Sequence, residues 1–482
     1  MAPSRPLFRK PSGLRGLAAF IPAFLLVLGA PHPGQAKGTD TKSGEAKVVY
    51  AASDDALPAG DKLIVTAFIR HAVEFAKQRN PERVSRDCAR SPESFAWVDF
   101  RYLNCLNISY ELTGDTQYLD LFRDTFRLYL DILRPASDGF LGWMGSPIPS
   151  RLSADNPTLQ IDELQMSFRA ISILSRWIEL ARVSPSYADQ NQETIKAYLD
   201  LMESQLYPKW DKRGYFAETG EGRGVYRGLD FPSDGFLTLA HEKTALVVDG
   251  LLALHRVTGN DSYLKRALQL GARFKDCLSL VDGHYEWLSW CPAGPWDVAP
   301  GGADAWKVGW MAPDPRGEWY AAGVSIATSL YRHGLLFTDE DIGRFLRTQK
   351  EMCWNGDTER PAYRTVSGQA NKFTVGRFLS YQLAHYDETL SRLAFRGPHE
   401  EEAGRNAASS WLGGADAQDY VREKFVVAPG IRANPRSFEW VGRRFLENPP
   451  NRALHEQLDR ERTTPDVKVP CKPSQVSFAA AF

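Results

Sequence analysis

Two stretches, Leu112-Thr113-Gly114-Asp115-Thr116-Gln117-Tyr118-Leu119 and Val257-Thr258-Gly259-Asn260-Asp261-Ser262-Tyr263-Leu264, share one pattern. In each, an apolar helical run stops at a glycine, the residue that closes a helix in the left-handed conformation at least cost. An Asp, Asn or Thr follows, a side chain able to accept from the first free N–H groups of the next helix. The Tyr-Leu pair then opens the apolar face of that helix. Each copy therefore predicts an antiparallel helical hairpin with a tight turn.

Helical spacing extends outward from both copies. Leu63, Ile64, Ala67, Phe68, Ala72, Phe75 and Ala76 fall on one face of a helix running to about Arg79. Further helices are predicted over about 92–112, 115–133, 158–183, 188–206, 237–257, 260–276, 319–336, 339–353, 373–396, 416–426 and 436–447. Strand-like alternation is confined to short patches near 214–226 and 281–291. Between hairpins lie long segments rich in Gly, Pro and Trp, at 134–157, 207–236, 281–318 and 354–372. Short turns on one side and long aromatic loops on the other predict an all-α fold. Its form would be an α/α toroid of about five to seven helical hairpins, with the loops at one rim. A helical solenoid would have more uniform loops.

The N-terminus has the features of an export signal. Arg5, Arg9, Lys10 and Arg15 precede an uncharged apolar run from Gly16 to Ala30, and Gly34-Gln35-Ala36 supplies small residues for cleavage. The apolar run is shorter than the roughly 20 residues that a membrane-spanning helix needs. The expected organisation is a signal peptide over 1–36, a flexible lead-in over 37–60, the helical domain over 61–447 and a polar tail over 448–482. The mature chain is expected to be secreted or periplasmic, with no membrane anchor.

Losing the four basic residues of the signal leaves 54 Lys and Arg against 59 Asp and Glu, a net charge near −5. Such a balance excludes a general nucleic-acid or membrane-surface binder. Export would place Cys88, Cys105, Cys277, Cys291, Cys353 and Cys471 in an oxidising compartment, where thiols can pair. Their spacing matches no zinc pattern and assigns no connectivity. No phosphate-binding glycine loop, nucleophile-elbow serine or His-x-x-x-His pair occurs, so nucleotide, esterase and zinc-protease readings fall away; no cofactor is expected, and no ligand loop argues for calcium.

The repeated Thr-Gly-Asp/Asn…Tyr-Leu hairpins, with long aromatic loops after a signal peptide, resemble the α/α-toroid carbohydrate-active enzymes. Within that group the chain is similar to exported polysaccharide lyases that act on uronic-acid polymers such as alginate or glucuronan. The resemblance covers roughly residues 61–400. It implies an acidic polysaccharide or oligosaccharide as substrate, cleaved by β-elimination. That chemistry needs a cation to neutralise the C6 carboxylate, a base for the C5 proton and an acid for the leaving oxygen.

Three clusters supply those residue types. His241, in Leu239-Ala240-His241-Glu242-Lys243-Thr244, stands at a helix start, where the helix dipole favours the neutral base. In Asp314-Pro315-Arg316-Gly317-Glu318-Trp319-Tyr320, Tyr320 is the expected proton shuttle and Arg316 the carboxylate clamp. Arg364 and Asn371, with Arg360, Lys372 and Arg377, form a local basic patch for the substrate. Glu242, Glu318 and Trp319 complete the expected binding set. Trp287 and Trp290, like Trp143, Trp296, Trp306 and Trp310, are expected as sugar platforms, whereas Trp97, Trp177 and Trp411 fall in helical patterns and are expected in the core.

Two other readings stay open. An inverting hydrolase on the same scaffold would use two carboxylates, from among Asp155, Asp162, Glu163, Glu218, Asp230, Glu242 and Glu318. A glycan-binding protein without catalysis would need the Trp platforms but neither His241 nor Tyr320.

Overall fold

The computed structural model describes residues 57–146, 158–229, 236–298, 317–370, 380–395, 415–427, 430–431 and 434–460. The signal segment, most of the lead-in and the last 22 residues lie outside that set. The described chain is mainly helical. Its α-helices are α1 (Ala59–Lys77), α2 (Pro81–Arg90), α3 (Phe100–Thr113), α4 (Gln117–Leu130), α5 (Leu164–Val183), α6 (Pro185–Gln190), α7 (Gln192–Leu201) and α8 (Pro208–Lys212). They continue as α9 (His241–Thr258), α10 (Asp261–Asp276), α11 (Gly317–Arg332), α12 (Asp339–Arg347), α13 (Glu388–Phe395), α14 (Ala415–Val421), α15 (Glu439–Glu447) and α16 (Pro449–Asp459). Wider π-helical turns occupy Phe95–Asp99, Met202–Leu206, Thr348–Cys353 and Arg422–Val427.

The repeated turns match bond for bond. Gly114 (φ 73°) closes α3 with its N–H on Tyr110 O, and Gly259 (φ 72°) closes α9 with its N–H on His255 O. The preceding threonines bond back to Ser109 O and Leu254 O, each at 2.7 Å. Asp115 accepts from Gln117 N at 2.9 Å and Asn260 from Ser262 N at 3.0 Å, which starts the next helix. Leu119 and Leu264 are fully buried, so each turn sets one apolar anchor.

Helices α3, α5, α9 and α11 pack side by side in that order, with α1 against α3, and α4 and α10 behind them. Helices α5 and α9 make the most extensive contact. Gly250 permits it, because a Cβ there would lie 2.8 Å from Phe168 O. Trp177, fully buried on α5, donates its indole N–H to Leu119 O at 3.0 Å and fastens α5 to the first hairpin. The short helix α14 meets both α1 and α3, and Arg332 at the end of α11 pairs with Glu423 at 3.4 Å, just beyond α14.

The structure adds helices that periodicity missed. Helices α2, α6, α8 and α16 each carry Pro in the first turn, where its fixed φ suits a helix and its missing N–H costs nothing. Helix α16 extends the ordered chain to Asp459, past the expected boundary at 447, and buries Leu458 against the body. Within the predicted helix over 373–396 the described residues hold a 3₁₀ turn at Leu383–Tyr386 and α13, and 371–379 lie outside the described residues.

Small antiparallel pairings shape the long connections: β1 (Arg134–Pro135) with β2 (Leu141–Gly142), β3 (Phe216–Glu218) with β4 (Gly224–Leu229) and β5 (Phe236–Thr238), and β6 (Ser279–Val281) with β7 (His284–Glu286). Adjacent connections are bonded together. Lys209, with no exposed side-chain surface, pairs with Asp162 at 2.7 Å and donates to Leu141 O at 2.9 Å. Arg213 reaches Asp162 and Asp138. The buried Asp297 carboxylate accepts from Thr238 N at 3.0 Å and Thr238 Oγ1 at 2.8 Å, joining the next two connections. The Asp162 pairs hold the lead-in to α5, and the Asp297 bonds hold the lead-in to α9.

Candidate functional site

The site is built where the segment leading into α3 meets the first turns of α5 and α9. The π-turn before α3 widens the backbone, and Glu93, Trp97 and Arg101 follow at four-residue spacing along it. Trp97 donates its indole N–H to Glu93 Oε1 at 3.0 Å. The Arg101 guanidinium lies 5.3 Å from the Trp97 ring centroid, a cation on an aromatic face. Trp97 is half-buried, so part of its ring stays open to solvent.

Lys243, in the first turn of α9, places its ammonium 3.8 Å from Glu93 Oε1. Gln165 satisfies both neighbours when its nitrogen donates to Glu163 Oε2 and its oxygen accepts from Lys243 Nζ, each at 3.2 Å. Glu93, Lys243, Gln165 and Glu163 thus form one polar chain across three helix starts. Both carboxylates are buried. A buried carboxylate needs such partners, because an unpaired charge out of water is strongly disfavoured.

A polar stripe continues inward along α5 through Gln165, Arg169, Ser172 and Arg176, at helical spacing on one face. Burial and the nearby Arg101 guanidinium pull Arg169 down to about 10, opposed by Asp249 on α9 and Asp419 on α14. Ser172 Oγ donates to Asp249 Oδ2 at 2.5 Å. Arg176 pairs with Glu111 of α3 and with Glu179, which also takes Arg256 of α9 at 2.6 Å. The seam between α3, α5, α9 and α14 is therefore charged rather than oily.

His241 and Tyr320 lie elsewhere, in one aromatic seam. The His241 ring meets Phe274 edge-on at 4.9 Å, Phe274 meets Trp287 at 6.5 Å, and Trp287 stacks on Tyr320 at 5.3 Å. Two buried rings thus separate the expected base from the expected proton shuttle. Burial, then the Arg273 charge, pushes His241 down to about 3. The Tyr320 hydroxyl donates to Gln349 Oε1 at 3.1 Å, and the residue is 1% exposed.

Three of the expected sugar platforms are core residues. Trp143, Trp287 and Trp290 have no exposed surface. The indole of Trp143 donates to Tyr129 O at 2.9 Å and that of Trp290 to Thr238 O at 2.7 Å. An aromatic ring with a polar N–H is well suited to the interior once that N–H finds a carbonyl. Trp97 moves in the opposite direction, from expected core to the open edge of the polar chain. Its four-residue spacing from Glu93 and Arg101 was the signal available in the sequence, as was the polar stripe on α5.

Glu242 is half-buried beside Lys243, and Arg364 is exposed next to the π-turn that ends at Cys353. Glu318 and Trp319 fall in the first turn of α11, with their side chains outside the described set. Arg316, Asn371, Trp306, Trp310 and Trp411 lie outside the described residues altogether. Among the described residues no cluster of three or more His, Cys, Asp or Glu could hold a metal ion. No described helix is long and apolar enough to cross a membrane. No protein-family model, curated protein or solved structure matches this chain.

Proposed function

We propose that the chain is an exported α/α-toroid enzyme that cleaves an acidic polysaccharide, with Glu93 and Glu163 carrying the proton transfers. The N-terminal charge and apolar pattern supports export. Ring closure is supported by the contacts of α14 with α1 and α3, and by Arg169 lying within electrostatic reach of α3, α9 and α14 at once.

The observation that carries the functional reading is the chain Glu93–Lys243–Gln165–Glu163 with Trp97 at its open edge. Glycoside hydrolysis needs one carboxyl group to protonate the leaving oxygen and a second to activate water. Trp97 supplies an apolar face for a pyranose. Arg101, Lys243 and Arg169 bring positive charge to the same place, which selects uronate-bearing chains over neutral ones.

Those cations also favour a second reading, β-elimination, since a neutralised C6 carboxylate acidifies the C5 proton. His241 is a poor base for it, because an imidazole held near 3 has little proton affinity at neutral pH. Incubating the purified protein with a panel of polyuronates separates the readings. Hydrolysis yields new reducing ends alone, and elimination adds the ultraviolet band of a C4–C5 double bond. No cleavage of any member would remove the enzymatic reading.

A further inference from the structure

We propose that Cys277 and Cys291 form a disulfide in the exported protein, a covalent clasp at the base of the β6–β7 excursion.

Cys277 ends α10, and the chain leaves through β6, returns through β7 and reaches Cys291. Both are buried free thiols, close enough to act on each other electrostatically. Arg273, one turn before Cys277, frames the pair. Its guanidinium Nη2 donates to Cys291 Sγ at 3.6 Å, and its carbonyl accepts from Cys277 Sγ at 3.3 Å. The other described cysteines, Cys88, Cys105 and Cys353, donate to the carbonyls of Met144, Arg101 and Thr365.

The local chemistry assigns the order of events. The neighbouring Cys277 thiol, together with the Arg273 charge, pulls the Cys291 thiol down, which favours Cys291 as the nucleophile. Burial drives the Cys88 and Cys105 thiols up to about 12. During folding, the Cys291 thiolate attacks a small-molecule or protein disulfide, forming a mixed disulfide and releasing one thiol. Cys277 gives up its proton and attacks the Cys291 sulfur, releasing the second thiol. Two protein S–H bonds become one S–S bond, and the external disulfide is reduced to two thiols.

The clasp would close a short loop that holds Trp287, Trp290 and Ser289, whose carbonyl accepts the His241 N–H at 3.2 Å. Fixing this loop fixes the entry to α9, and with it Lys243. Closing such a loop restrains the unfolded chain and raises stability.

The test uses the full chain, both recovered after export and refolded from denaturant in a mixture of reduced and oxidised glutathione. Each sample is unfolded without reductant, alkylated, digested and mapped by mass spectrometry. Positions 277 and 291 should resist alkylation, with their shared tryptic peptide lighter by two hydrogens, while Cys88, Cys105 and Cys353 take the label. Reductant should lower the Tm of the wild type by several degrees but leave a Cys277→Ser/Cys291→Ser variant unmoved. Labelling of both positions in the refolded sample, or pairing of either with another cysteine, would overturn the proposal. The refolded arm does not depend on export, and the mapping stands even if the double variant fails to fold.

Discussion

The Lys243 ammonium lies 3.8 Å from Glu93 Oε1, with only 12% and 8% of the two side chains exposed, so a single ion pair ties the start of α9 to the segment that leads into α3. Lys243→Met should therefore leave the buried Glu93 carboxylate with the Trp97 N–H but without its counter-charge. The expected loss is about 1–3 kcal/mol of stability. Lys243→Arg should recover most of it. Thermal unfolding of both variants checks this, and an unchanged Tm for Lys243→Met would show that the pair carries no stability.

Trp97→Ala should weaken substrate capture more than folding, because the ring is half-exposed. Losing one stacking face is worth about 1.4 kcal/mol, or roughly a tenfold rise in KM, with a smaller change in kcat. Trp97→Phe keeps an aromatic face but drops the N–H bond to Glu93, and should fall between the two. Steady-state kinetics on the cleaved polyuronate decides the matter.

Acid should destabilise the fold through its buried histidines. His241 and His333 are both lowered to about 3, mainly by burial. Between pH 6.5 and 3 the unfolded chain then binds more protons than the folded one, so stability falls as pH drops through that window. Above pH 6.5 both states hold these rings neutral and the effect vanishes. His241→Phe removes one of the two groups and should flatten the slope by roughly half of their joint share. Denaturant titrations at stepped pH measure it, and an identical slope in the variant would refute the assignment.

Gly250→Ala tests the closest approach of α5 and α9. The added methyl carbon would sit 2.8 Å from Phe168 O, a backbone atom that cannot swing away. Forcing the helices apart should cost about 1–3 kcal/mol, despite alanine's better helix propensity. A variant as stable as the wild type would mean that the helices slide apart freely.

Much of the fold was legible because two turns announce themselves. Gly114 and Gly259 sit where only a left-handed closure fits, and the Asp115 and Asn260 side chains start the next helices as their chemistry dictates. Helices opening on Pro81, Pro185, Pro208 and Pro449 were not, since a proline read as a breaker also marks a first turn. The site was less legible than the fold. Trp287 and Trp290 sit in a loop-rich stretch that suggested exposure, yet each is enclosed by partners distant in sequence. Trp97 looked like core because it falls in the apolar helical pattern of Phe95, Val98, Leu103 and Leu106. The polar stripe on α5 was visible in the sequence, but which helices meet over it is decided by tertiary packing, and one-dimensional periodicity does not report that.

The most direct test of the account compares Glu93→Gln, Glu163→Gln and Tyr320→Phe in one assay of reducing-end release from a uronate polymer, with the ultraviolet band followed in parallel. Each glutamine variant keeps its shape and hydrogen-bonding reach but loses proton transfer, which typically costs about 10²–10⁴-fold in rate. Tyr320→Phe removes a buried hydroxyl that bonds Gln349 and should stay within a few-fold of wild type. The account predicts two nearly inactive glutamine variants, an active Tyr320→Phe and no ultraviolet band. Full activity in Glu163→Gln, together with a dead Tyr320→Phe and a strong ultraviolet band, would contradict it.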